Sequence, residues 1–220
     1  MKKILFVIAV VCLVLSGYGI ANANVVFTNF ADNFNLENGG IANASTLNYN
    51  NFANWNVTDG TVDLIGNTYF DYYPGNGLYV DLDGSTNDAG VLTTKNAFNF
   101  NPGLYELSFY LGGNHNPSID PNGDVVSVNI GLGGLYSETF NIAADAPLTQ
   151  FTRTFCVPTF LSEKLSFSND GGVTAPGDNV GAILDNVKLS AVPEPATMSL
   201  LGVGLLGLWG LGKRRKEVKK

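Results

Sequence analysis

The chain has 220 residues, 45% hydrophobic and 14% charged, with a formal net charge of −7. Between Asn24 and Val192 only four basic residues (Lys95, Arg153, Lys164 and Lys188) face seventeen Asp and Glu, a net of −13. A body this acidic is repelled by nucleic acid, which excludes that partner, and one His with two Cys excludes metal sites built on paired His or Cys.

In chain order, Met1-Lys2-Lys3 leads into an apolar run from Ile4 to Leu15, broken by Ser16, Gly17 and Gly19 before Ala21-Asn22-Ala23. A positive start, a short apolar core and small residues at alternate positions before the cut are the parts of a secretory signal peptide. They predict a signal peptide over 1–23 and cleavage by signal peptidase after Ala23, with Ala21 and Ala23 recognised. Removal of 1–23 takes Cys12 with it, which predicts a mature domain without an internal disulfide and Cys156 as a small, buried, inert residue.

From residue 24 to 191 no long 3.6-residue period occurs. Short alternating runs recur instead, separated by Gly, Asn, Asp and Pro. The stretch from Asn29 to Asn56 is Asn-rich and reads as long loops leading to Trp55, which begins a core strand. Strands are expected at 25–30, 61–65, 78–82, 91–95, 104–111, 124–132, 136–142, 151–157, 164–167 and 182–189. In the fifth, Tyr105, Leu107, Phe109 and Leu111 share a face opposite Glu106 and Ser108; in the sixth, Val126, Val128, Ile130 and Leu132 alternate with Ser127 and Asn129. About ten strands in one domain predict an all-β, two-sheet β-sandwich of jelly-roll type. The acidic run Asp81 to Asp88 lacks the Gly and Glu of an EF-hand loop and reads as a solvated hairpin turn; 120–124 reads as a tight turn.

The C-terminal part reads Val192-Pro193-Glu194-Pro195, then an uncharged span over 196–212, then Lys213-Arg214-Arg215-Lys216. A helix over that span reaches about 25 Å, enough to cross a thin hydrocarbon core. Its glycines permit close packing against another helix, and the basic cluster is retained on the cytoplasmic side. Pro193-Glu194-Pro195, the glycine-rich span and the terminal basic cluster together resemble the PEP-CTERM sorting signal of exported proteins in Gram-negative bacteria that make extracellular polysaccharide. The resemblance covers 192–216. It implies a transient single-pass intermediate in the inner membrane, recognition by an exosortase, cleavage near Pro193-Glu194-Pro195, and delivery to the cell surface or extracellular matrix.

Trp55, Val62 to Gly66, Tyr79 to Gly84, Gly103 to Phe109 and Ile183 to Leu189 are, in that order, similar to the galactose-binding-like jelly-roll modules of carbohydrate-binding proteins. Alternation puts Asp185 on one face with Ile183, Val187 and Leu189, where a carboxylate needs a partner. The resemblance implies a structural Ca²⁺ held by Asp185 with Asp32 or nearby carbonyls; no other cofactor is required. Tyr69, Phe70, Tyr72, Tyr73 and Tyr79 cluster around Pro74-Gly75, and Tyr110 is expected to face away from the core. Of these, Tyr69, Tyr72 and Tyr73 are the candidate ligand residues, because flat rings stack on pyranose faces. The only histidine, His115, lies in a loop, no nucleophile-elbow motif surrounds a serine, and no catalytic residue is assigned. The expectation is therefore an exported, non-catalytic, polysaccharide-contacting module. Its alternatives are a structural matrix or adhesion protein without a defined ligand, and a glycan-processing enzyme.

Overall fold

The computed structural model describes residues 27–40, 44–86, 88–115, 125–169 and 181–193. The expected signal peptide, the membrane span, Glu194, Pro195, the basic cluster and the 120–124 turn lie outside them. Among the described residues no helix is long and apolar enough to cross a membrane.

Among the described residues thirteen strands, numbered in chain order, form the body. One sheet runs β10 (Thr149–Val157), β7 (Gly103–Gly112), β13 (Ile183–Ala191), β4 (Tyr79–Asp81), β3 (Asp63–Ile65), and β1 (Phe30–Asp32) also pairs with β13. The second runs β2 (Trp55–Thr58), β5 (Val91–Thr94), β12 (Leu165–Asn169), β8 (Val125–Leu132), β9 (Tyr136–Ala143). A two-stranded piece, β6 (Phe98–Phe100) with β11 (Leu161–Glu163), lies at one end. Most neighbours in a sheet are distant in sequence, so the chain crosses repeatedly between layers, as in a two-sheet sandwich.

Two-residue alternation builds the core between the sheets. Tyr105, Leu107, Phe109 and Leu111 of β7 face Val128, Ile130 and Leu132 of β8 and Leu165 and Phe167 of β12, all buried. Trp55 is fully buried and ties the layers together: it sits on β2, yet its Nε1–H donates to Asp32 Oδ2 on β1 of the other sheet at 2.9 Å. Where β9 and β10 leave the sandwich side open, Arg153 Nε and Nη2 donate to Glu138 at 2.7 Å each, and the guanidinium lies over the Phe140 ring at 5.1 Å. The Asn-rich stretch is irregular as expected but well anchored. Phe34 and Phe52 are buried, and the buried carboxylate of Glu37 accepts the Ala53 N–H at 2.8 Å.

The first described strand is Phe30–Asp32, later than the one expected at 25–30, of which residues 25 and 26 lie outside the described residues; β6 and β11 have no counterpart among the expected strands. Cys156 is half-buried rather than buried, because Phe155 and Val157 turn into the core and alternation leaves it on the other face of β10. Cys12, the only other cysteine in the sequence, lies outside the described residues, and with it the expectation of a mature domain without a bridge.

Candidate functional site

The 66–78 connection between β3 and β4 folds across the outer face of the six-stranded sheet, where Ile65, Tyr79 and Ile183 form a small second core backed by Tyr72, Tyr73 and Leu148. The buried Tyr79 hydroxyl accepts the N–H groups of Tyr72 and Tyr73 at 2.7 and 3.2 Å and donates to Asp71 Oδ1 at 3.2 Å. Burial, chiefly, holds this phenol far above its ordinary pKa, so it stays protonated. Burial likewise pushes Tyr73 up to about 12, and its hydroxyl reaches the carbonyls of Gly113 and Ala146 at 2.6 and 2.9 Å. Glycine is required beneath it: a Cβ on Gly112 would lie 2.4 Å from the Tyr73 hydroxyl oxygen. At the other end of the loop Ser45 Oγ accepts the Gly66 N–H and donates to the Tyr69 carbonyl, both at 2.8 Å.

With its base pinned in this way, the loop turns rings outward. Tyr69 is 51% and Phe70 43% exposed. The Phe70 and Tyr72 rings stack at 6.3 Å and 28°, and Tyr69 meets Phe70 edge-on at 6.1 Å. Phe70 has φ 59, a conformation that a bulky side chain adopts only when its surroundings impose it. The structure therefore brings Tyr69 and Tyr72 together on the surface and adds Phe70. Tyr73 serves as a support and Tyr79 lies in the second core. Tyr110 faces away from the main core, half-buried, as expected. His115 is exposed in its loop, its ring edge-on to Tyr73 at 5.3 Å.

Asp185 is buried at 1% exposure, but not on the face expected. A β-bulge between Asp185 and Lys188, with Asn186 at φ 50, inserts one residue and inverts the alternation. Asp185 stays with Ile183 on the outer face, whereas Val187 and Leu189 return to the main core. The bulge falls where the partner of β13 changes from β4 to β1. There Asp185 accepts the Asn76 Nδ2–H and Asn186 Nδ2–H at 2.7 Å each and the Asn186 backbone N–H at 2.6 Å. Burial, only partly offset by these bonds, raises its pKa to about 6. Asp32 accepts from Phe34 N–H at 2.9 Å, Asn54 Nδ2–H at 3.0 Å and Trp55 Nε1–H. Both carboxylates are thus surrounded by N–H donors, whereas Ca²⁺ calls for six to eight oxygens. Among the described residues no three His, Cys, Asp or Glu side chains come together as a metal site. As placed, the pair does not fit a Ca²⁺ site and acts as a hydrogen-bonded clamp. EDTA is accordingly expected to leave the melting temperature within a degree of the untreated protein in a thermal scan; a clear drop would restore the ion.

The acidic run from Asp81 is not the solvated turn expected. Asp81 and Asp83 are buried, and Asp81 stands opposite Asp63 on β3 and Ile183 on β13. The segment is drawn inward by Leu82, whose N–H donates to the Ala182 carbonyl at 3.0 Å. Asp63 accepts Asn48 N–H at 2.7 Å and Ser85 Oγ–H at 2.7 Å. Asp81 accepts the Asp83 N–H at 3.1 Å, and burial first, then the charges of Asp63 and Asp83, hold its pKa well above its ordinary value.

Comparison with known proteins adds the C-terminal segment: residues 191–216 match the PEP-CTERM protein-sorting motif. No curated protein matches the chain. Among solved structures, it is similar to TmCBM61 in complex with β-1,4-galactotriose (15% identity, 64% of this chain and 90% of that one, TM-score 0.41). It is also similar to the N-terminal cellulose-binding domain of Cellulomonas fimi β-1,4-glucanase C (16%, 69% and 96%, TM-score 0.39). A third similar structure is the K2 cleaved adhesin domain of Lys-gingipain (16%, 74% and 99%, TM-score 0.40).

Proposed function

We propose that this is an exported protein, cut after Ala23 and processed at Pro193-Glu194-Pro195 by an exosortase, whose sandwich contacts an extracellular polysaccharide without altering it. The observation that carries the binding half is the pair of exposed rings Tyr69 and Phe70, with half-buried Tyr72 stacked on Phe70, on a loop whose base is fixed by Ser45, Tyr73 and Tyr79. Exposed rings held in place before binding lose little entropy when a sugar ring stacks on them.

The outer face of the five-stranded sheet offers a contrast. It presents Asn56, Thr58, Thr93, Asn129, Ser137, Thr139, Ser166 and Ser168, with hydroxyls and amides but no ring. Affinity electrophoresis against a panel of neutral and acidic polysaccharides separates the two surfaces. The double variant Tyr69→Ala/Phe70→Ala is expected to weaken retention at least tenfold, about 1.4 kcal/mol, while Thr93→Ala/Ser168→Ala leaves it unchanged. Retention of no polysaccharide, with self-association in its place, would favour the structural matrix reading, and release of sugar fragments would favour an enzyme.

A further inference from the structure

We infer that the sandwich stands with its β6–β11 end toward the surface that holds its C-terminus and displays the Tyr69–Tyr72 rings from the opposite end. The inference rests on the export-and-sorting reading and adds a direction to it.

Both ends of the described body leave from one pole. Phe27 packs against Phe100 at 5.3 Å and Tyr105 at 4.8 Å. Val192, just inside the sorting motif at 191–216, donates its N–H to the Leu104 carbonyl at 2.8 Å. The β6–β11 pair closes this same pole, since Phe100 also meets the Tyr105 ring at 4.9 Å. The ring-bearing loop is fixed to the other end of the same strand. Antiparallel pairing puts Ala191 opposite Tyr105 but Ile183 opposite Gly112, and Tyr73 is bonded to Gly113 just beyond. A ten-residue strand is about 30 Å long, so the rings stand roughly that far from the attachment end.

The charge pattern points the same way. Exposed Lys95 and Lys164 lie at the attachment pole with half-buried Glu163 at the end of β11, exposed Glu106 beside Tyr105, and Phe160 at 51% exposure. Exposed Asp59, Asp88 and Asp145 lie at the pole that carries the rings. An anionic surface would repel the second pole, which carries only acids among these groups, more than the first, where two lysines balance two acids.

The test places a single cysteine at Asp145, at the ring-bearing pole but off the ring loop, or at Phe160, both exposed in the isolated body, and compares modification by a 5-kDa polyethylene-glycol maleimide on intact cells with that of the purified protein. The unsubstituted chain sets the background from its own cysteines. Asp145→Cys is expected to react on cells within twofold of its purified rate, and Phe160→Cys at least tenfold more slowly. Equal rates on cells, or the reverse order, overturn the orientation while leaving export intact. Modification of neither on cells, with both reactive in the purified protein, overturns the display reading and the orientation with it.

Discussion

Trp55→Ala is expected to destabilise the domain by about 3–5 kcal/mol, the range for removing a large buried ring from a close-packed core. Trp55 is fully buried, and its ring meets Phe30 at 5.6 Å, Phe34 at 6.2 Å and Phe167 at 5.9 Å. Because its indole also reaches across the sandwich to Asp32, the loss uncouples the Asn-rich N-terminal stretch from the five-stranded sheet. Trp55→Phe separates the two contributions. It keeps most of the apolar contact and removes the Nε1–H, so a cost of about 1–2 kcal/mol is expected, from the lost hydrogen bond and a smaller cavity. Urea unfolding of both variants measures the difference. Equal losses would mean that the tie to Asp32, not ring packing, dominates.

Stability is expected to fall as pH rises from about 4.5 to 8, the reverse of the usual behaviour of paired surface carboxylates. Asp185 titrates at about 6 in the folded protein against 3.8 for a free side chain, and Asp81 is raised well above the same reference. Each acid therefore binds its proton more tightly folded than unfolded. Between the two values the folded state carries the extra proton, so the folded form loses ground as pH passes upward through the window and levels off above the folded values. For Asp185 this amounts to about 3 kcal/mol by pH 8. Glu37, raised mainly by burial, acts in the same direction. Glu138 is lowered, first by its hydrogen bonds to Arg153; the stability it contributes is lost only as pH falls below the ordinary carboxylate range, so it does not offset the effect above pH 5. Asp81→Asn keeps an oxygen for the Asp83 N–H while removing the charge. It should raise the melting temperature at pH 8 and flatten the profile. A melting temperature that climbs steadily from pH 5 to 8 would contradict this account.

How far the sequence could be read depended on the range of each interaction. Alternation alone located β7 and β8 and marked Trp55 as the start of a core strand, because a half-buried strand writes its two faces directly into the chain. The pair β6 and β11 escaped notice because three residues hold too little alternation, and their pairing joins Phe98 with Glu163, far apart in sequence. Asp185 shows how a single inserted residue defeats a parity argument. Asp185 stands out in the sequence as a carboxylate among apolar residues, but the bulge at Asn186 sends the residues after it to the opposite face. The only local signal is that Asn tolerates positive φ better than most side chains.

The aromatic cluster was legible as a cluster and not as a division of labour. Tyr73 points down because Gly112, thirty-nine positions away, leaves room for its hydroxyl, which donates to the Gly113 carbonyl, whereas Tyr69 and Phe70 stay exposed. The burial of Asp81 and Asp83 was hidden for the same reason. A Gly- and Asp-rich turn looks solvated until its fit against Gly181 is known, where an added Cβ would come within 1.8 Å of Asp81 Oδ1.

Intact mass spectrometry of the protein recovered from outside the producing cell tests the central proposal most directly. The account predicts a product that begins at Asn24 and ends near Pro193-Glu194-Pro195, without the uncharged span and the Lys213–Lys216 cluster. A full-length chain recovered from the cytosol, with residues 1–23 still attached, would contradict it.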